Sequence, residues 1–258
     1  MPIPERLKPA FVSTRAAEPD WTEEARKRLI VALDVPDARS AEATADRLAG
    51  VCKWFKVGLE LFSAAGPDVV QALASRGHSV FLDLKFHDIP NTVAGAVRSA
   101  ARLGARMMTV HAAGGPAMLT AARTAIAGLH DAPELLAVTV LTSMDAAQLA
   151  AAGVQRTPAE QVSLLARMGC EAGLRGFVCS PQEVAAVRTL TGPEGVLVVP
   201  GIRPAGSDAG DQKRLATPSA ALRDGASYLV VGRPITQAAD PVGAADAIVA
   251  EMAAALAV

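Results

Sequence analysis

Short apolar runs alternate with longer alanine-rich segments along most of the chain. The runs at 29–35, 54–58, 79–85, 106–112, 135–142, 176–180, 196–203 and 228–235 are rich in Val, Leu and Ile, which predicts eight buried strands. Between them, apolar residues recur at helical spacing, which predicts helices over 40–49, 67–76, 92–103, 116–128, 158–172, 182–190, 218–224 and 241–256. Ser40, Thr92 and Ser180-Pro181 stand where N-caps or first-turn residues belong. Gly50, Gly77, Gly104 and Gly173 stand where helices stop.

Repeated β–α units of this number and length predict a (β/α)8 TIM barrel of α/β class, a single domain over 29–258. Residues 1–28 read as an N-terminal arm with a short helix around Trp21–Lys27. A doubly wound open sheet is the competing layout. The barrel is favoured because polar residues collect at the C-terminal ends of nearly every strand. They are Asp34, Lys56, Asp83 with Lys85, His111, Thr142, Ser180, Arg203 and Arg233. A barrel gathers all such ends around one mouth, whereas an open sheet gathers those near its switch point.

Composition narrows the function classes. A net charge of −1 and 3% aromatic residues argue against a nucleic-acid partner. No apolar run approaches a membrane span, and the charged first residues lack the apolar stretch of a secretory signal. Cys52, Cys170 and Cys179 are odd in number and scattered, which fits reduced thiols in a cytoplasmic protein. His78, His87, His111 and His130 show no ligand spacing, so no metal site is expected.

The candidate chemistry starts at 81–92, Phe-Leu-Asp-Leu-Lys-Phe-His-Asp-Ile-Pro-Asn-Thr. Asp83 and Lys85 stand two positions apart on a strand and so point to the same side. Asp88 follows where a Pro-Asn-Thr turn opens a helix. Buried charges are costly unless paired. In a barrel, Lys56 lies beside them, and Lys56, Asp83, Lys85 and Asp88 are expected to form an alternating network. A lysine held protonated by neighbouring carboxylates is a general acid. A carboxylate held against a substrate's own carboxylate would be relieved by loss of CO2, with the lysine protonating the carbanion. The plainer account is an interior salt bridge, with Asp88 or Thr92 capping the helix. For Thr92 that cap is the favoured account, and for His87 and His111 a structural role.

The last two strands end in Val199-Pro-Gly-Ile-Arg-Pro204 and Val231-Gly-Arg-Pro-Ile-Thr236. Glycine lets backbone N–H groups approach an anion, and arginine adds charge-assisted bonds. Barrels often hold a phosphate at these two loops. The polar stretch 205–216 is a candidate lid, with Gln212 as a contact. Gly114-Gly115-Pro116 reads as a turn before a proline-started helix. Three rivals remain open: a Schiff-base aldolase using Lys85, a metal-dependent sugar-phosphate decarboxylase using Asp83 and Asp88, and a non-catalytic nucleotide-binding barrel.

Ala32-Leu-Asp34, Phe55-Lys-Val-Gly58, the 81–92 segment, Val138-Thr-Val-Leu-Thr-Ser143, Val199-Pro-Gly-Ile-Arg-Pro204, Gly210-Asp-Gln-Lys213 and Val231-Gly-Arg-Pro234 closely resemble the orotidine 5′-phosphate decarboxylases of bacterial pyrimidine biosynthesis. The resemblance implies cofactor-free conversion of orotidine 5′-monophosphate to UMP and CO2. It implies Lys85 as proton donor to C6, Asp83 beside the leaving carboxylate, and Lys56 and Asp88 completing the network. Asp34 and Lys56 would lie near the ribose hydroxyls and Thr142 at the pyrimidine edge. Arg203, Gln212, Gly232 and Arg233 would grip the phosphate. It further implies a homodimer whose sites are shared, with Asp88 and Thr92 reaching into the partner's.

Overall fold

The computed structural model describes residues 19–204 and 214–258. Eight parallel strands pair in chain order and close into a barrel: β1 (Leu29–Ala32), β2 (Trp54–Gly58), β3 (Ser79–Phe86), β4 (Met107–His111), β5 (Glu134–Val138), β6 (Gly176–Val178), β7 (Val196–Val199) and β8 (Tyr228–Val231). The helices are α1 (Trp21–Arg28), α2 (Ala38–Leu48), α3 (Leu59–Ala65), α4 (Asp68–Ser75), α5 (Pro90–Ala101) and α6 (Gly115–Ala125). They continue as α7 (Ala146–Ala151), α8 (Pro158–Glu171), α9 (Val184–Thr191), α10 (Pro218–Arg223), α11 (Arg233–Thr236) and α12 (Pro241–Leu256). None among the described residues is long and apolar enough to cross a membrane.

Period two sorts each strand between two cores. Inward positions Ile30, Ala32, Phe81, Met107, Leu136, Val198 and Val230 fill the barrel. Their neighbours Leu29, Val31, Leu82, Met108, Ala137, Val199 and Val231 pack against the helices. On β3 the inward series continues from Phe81 into Asp83 and Lys85, while Leu84 and Phe86 pack outward. The apolar filling therefore gives way to charge toward the C-terminal end.

All eight expected strands form, but four end three or four residues before their apolar runs do. β1 stops at Ala32, β5 at Val138, β7 at Val199 and β8 at Val231. The residues beyond leave the ladder to line the mouth. Pro200 cannot donate to a ladder, and residues 233–235, expected as strand, belong to α11, a helical turn with a proline in its first turn.

The helix expected near residue 21 forms as α1, capped by Asp20, whose carboxylate accepts from Thr22 N and Glu23 N. Its Ala25 is fully buried, and Arg26 lies 3.8 Å from Asp246 on α12. The N-cap of α2 is Asp37, which accepts from Ser40 N, so Ser40 is a first-turn residue. Helix α5 has no side-chain cap. It starts at Pro90 after Ile89, with Thr92 in its first turn, and Asp88 accepts only from the adjacent Ile89 N at 2.6 Å. The capping role expected for Thr92 or Asp88 is therefore not seen. Gly115, at φ 84°, makes the turn into the proline-started α6.

Candidate active site

The C-terminal ends of the strands enclose a cavity of about 570 Å³. Asp34, Lys56, Asp83, Lys85, Thr142, Arg203, Gly232 and Arg233 all line it. Gln212 and residues 205–213 of the expected 205–216 lid lie outside the described residues, while Ala216, at its end, bridges Ile202. Asp88 and Thr92 are exposed and do not line this chain's cavity.

Charges alternate from the loop after β1 across β2 and β3. Lys56 Nζ lies 2.9 Å from Asp34 Oδ1 and 3.9 Å from Asp83 Oδ2, and Lys85 Nζ lies 2.9 Å from Asp83 Oδ1. The side chains of Lys56 and Asp83 are only 12% and 13% exposed, against 30% for Lys85 and 57% for Asp34. The inner pair therefore depends on partners, and each member has them. Within one chain the alternation runs Asp34–Lys56–Asp83–Lys85. It does not include Asp88, which the resemblance assigns to the partner's site. The chain turns outward after β3, and that carries Asp88 away.

Gly58 makes room for this arrangement. A Cβ there would stand 2.7 Å from Lys56 Nζ and 3.4 Å from Asp34 Oδ1. Lys85 is the one described non-glycine residue with positive φ, at 51°. An L-residue pays about 1–2 kcal/mol for that conformation. The β3–β4 register shifts between Leu82 and Phe86 at the same place. Thr109 holds the distortion. Its hydroxyl accepts from Lys85 N at 2.8 Å and donates to Asp83 Oδ1 at 3.1 Å. One fully buried hydroxyl thus fixes the backbone of the lysine and the side chain of the aspartate.

Sequence reasoning missed Thr109, although its inward register between Met107 and His111 on β4 was a usable signal. It also missed Glu60, Ser143, Cys179 and Gln237, which line the cavity. His111 stacks on His87 with ring centroids 5.2 Å apart, and its Nδ1 accepts from Ala113 N at 3.2 Å. Burial, then the nearby His87 and Lys85, hold His111 below the usual histidine range. Neither histidine lines the cavity, in keeping with structural roles. Burial pushes the Cys179 thiol up to about 12, with Glu183 adding to it, so this cavity thiol is not a nucleophile near neutral pH.

On the far side, Arg203 and Arg233 follow β7 and β8, beside Gly201 and Gly232. Gly201 has φ 78°, a conformation that favours glycine. The cavity thus has a charged side at β1–β3, an arginine and glycine side at β7–β8, and a polar wall at Thr142 and Ser143.

Fold and site together define a (β/α)8-barrel enzyme with its chemistry at the mouth of the strands. Residues 27–248 match the Orotidine 5′-phosphate decarboxylase / HUMPS family, and the chain belongs to it. It is 57% identical over 234 residues to the orotidine 5′-phosphate decarboxylase of Moorella thermoacetica, covering 88% of this chain and 93% of that protein. It is 54% identical over 228 residues to that of Halorhodospira halophila, covering 88% and 97%. The crystal structure of orotidine 5′-phosphate decarboxylase from Lactobacillus acidophilus superposes with a TM-score of 0.77 at 40% identity, covering 88% and 99%.

Proposed function

We infer that this chain decarboxylates orotidine 5′-monophosphate to UMP and CO2, the last step of de novo UMP biosynthesis. The observation that carries the reading is the Lys56–Asp83–Lys85 array opposite the two arginine loops, in a member of this family. The phosphate of the nucleotide suits Arg203, Arg233 and the Gly232 backbone. The pyrimidine edge then meets Thr142, and the ribose hydroxyls lie toward Asp34 and Lys56.

With the substrate's carboxylate beside Asp83, the C6–carboxyl bond breaks and its electron pair stays on C6. CO2 leaves, and a proton passes from Lys85 Nζ to C6. Lys85 ends as a neutral amine and takes a proton back from solvent. A ring carbon without an electron sink makes this barrier high. Binding energy from the remote phosphate is therefore best used to assemble the charged site. The position of Lys85 Nζ, 2.9 Å from Asp83 and at the cavity surface, supports its role as donor.

We further propose that Asp88 and Thr92 complete the site of a second copy in a homodimer. Both lie outside their own cavity, next to Ile89, which is 67% exposed. A large exposed apolar side chain between two polar site residues fits a covered surface.

The test follows orotidine 5′-monophosphate by its absorbance change, for the native chain and for Lys85→Ala. Native turnover abolished by the substitution is the expected result. Full activity in Lys85→Ala would sink the proposed donor. The nucleoside orotidine should lose turnover even when saturating. If it turned over as fast as the nucleotide, the account of the phosphate would be wrong.

A further inference from the structure

Three loops at the mouth meet at a buried ion pair that the reaction itself does not use. Glu183 ends the short 3-10 turn Pro181–Glu183 after β6, and Arg214 precedes α10. They are 4% and 6% exposed. Arg214 NH1 donates to Glu183 Oε1 at 2.6 Å, while the Ser180 hydroxyl donates to the other carboxylate oxygen. The guanidinium's second arm donates to two successive carbonyls, Val140 O at 3.2 Å and Leu141 O at 2.9 Å. Ser180 stops the carboxylate from rotating. A fixed carboxylate fixes the plane of the guanidinium, and a fixed guanidinium fixes both carbonyls.

Those carbonyls matter because the ladder has ended there. β5 stops at Val138, and the last backbone bond to β6 is Thr139 N to Val178 O at 3.1 Å. Val140, Leu141, Thr142 and Ser143 all line the cavity, beyond the reach of the sheet. Burying an ion pair seldom stabilises more than an apolar pair of equal volume. Stability alone is therefore a poor reason for charge here, and the hold on the Thr142 wall is a better one.

We propose that Arg214, anchored by Glu183, is a positioning residue that sets the wall against which the base of the nucleotide rests. The inference rests on the decarboxylase reading for the identity of that base. Arg214→Lys keeps a cation opposite Glu183, but a single ammonium cannot serve the carboxylate and both carbonyls. The double substitution Glu183→Gln with Arg214→Met removes both charges at similar volume and leaves no unpaired ion.

The experiment compares inhibition constants for UMP, which has a base, and ribose 5-phosphate, which has none. Melting temperature and steady-state decarboxylation are measured on the same samples. UMP binding is expected to weaken about tenfold in Arg214→Lys, with ribose 5-phosphate changed less than about twofold. The KM for orotidine 5′-monophosphate should rise more than kcat falls. General damage to the fold would weaken both ligands together, and that result overturns the proposal. So does wild-type UMP affinity in either folded variant. If Arg214→Lys does not fold, the double variant carries the same comparison. A native chain that binds UMP but leaves orotidine 5′-monophosphate unchanged would refute the decarboxylase reading. The ratio of UMP to ribose 5-phosphate affinity would still decide the role of Arg214.

Discussion

Replacing Thr109 by Val should disable the site while leaving its charges in place. The two side chains have nearly the same shape, and the site is fully buried, so the change is the hydroxyl alone. Two bonds are lost: Lys85 N to Thr109 Oγ1 at 2.8 Å and Thr109 Oγ1 to Asp83 Oδ1 at 3.1 Å. An unsatisfied N–H costs about 1–3 kcal/mol, and the lower end applies because Lys85 is only partly buried. Asp83 keeps two lysines, so its loss is about 1 kcal/mol. The sum of about 2 kcal/mol corresponds to a melting temperature about 4–8 °C lower for a domain of this size. The effect on turnover is larger. Without Thr109 nothing shown holds Lys85 in its left-handed conformation, and a shift of about 1 Å in a reacting group can cost about 100-fold. Thermal denaturation by circular dichroism reads the first quantity, and decarboxylation at saturating substrate reads the second. Thr109→Ser, which keeps the hydroxyl, should retain most of the turnover. A Thr109→Val protein melting within about 1 °C of native, with kcat within about threefold, would refute the reasoning.

Lys85→Gly and Lys85→Ala should both be inactive, but the glycine protein should be the more stable by about 1 kcal/mol, because only alanine keeps a Cβ at φ 51°. Equal urea midpoints would mean that the backbone there is unstrained. If sites are shared in a homodimer, mixing inactive Lys85→Ala and Asp88→Ala chains under dissociating conditions and recombining them should restore about a quarter of native activity, since half the dimers are mixed and each holds one intact site. No recovery on recombination would place Asp88 outside the partner's site. His111 is held below the usual histidine range, first by burial and then by His87 and Lys85, so the unfolded chain binds its proton more readily. Stability from this group is therefore complete above about pH 6.5 and falls as pH drops below it. His78, lowered mainly by burial, adds to the slope, so His111→Gln should flatten the loss only in part. An unchanged slope of urea midpoint against pH in that variant would exclude His111 as a contributor.

The barrel was legible because each buried parallel strand is a continuous apolar run, and eight such runs alternate with helical periodicity. The ends of the strands were not legible, because composition does not change where the ladder stops. Val138-Thr139-Val140 reads as strand throughout, yet only its first residue belongs to β5. Helix α3 was invisible, since it follows β2 directly at Gly58 without a capping side chain. Helix α7 carried a readable signal, the Asp145 and Gln148 capping box. The charged cluster was legible as a cluster, but its order within one chain was not. Nearness in sequence suggested Asp88, whereas Asp34, 22 residues before Lys56, closes the array within the chain. The Glu183–Arg214 contact spans 31 residues and follows from no local pattern.

The order of charges has a consequence for the proposed reaction. Taken at their formal values, Asp34, Lys56, Asp83 and Lys85 sum to zero, and the substrate's carboxylate brings this set to −1, with the Asp88 proposed from the partner an unchanging addition. When CO2 leaves and Lys85 gives up its proton, the array itself becomes −1 and the departing group is neutral. The total does not change, and the negative charge moves only from the substrate's carboxylate to the adjoining array. A site that keeps its net charge needs little rearrangement of surrounding dipoles as the reaction proceeds. Lys56 makes this workable. Once Lys85 is neutral, Asp83 still has a cation at 3.9 Å, and that cation is held in turn by Asp34 at 2.9 Å. Lys56 therefore serves the step without donating the proton, by leaving Asp83 with a partner after Lys85 has given up its charge.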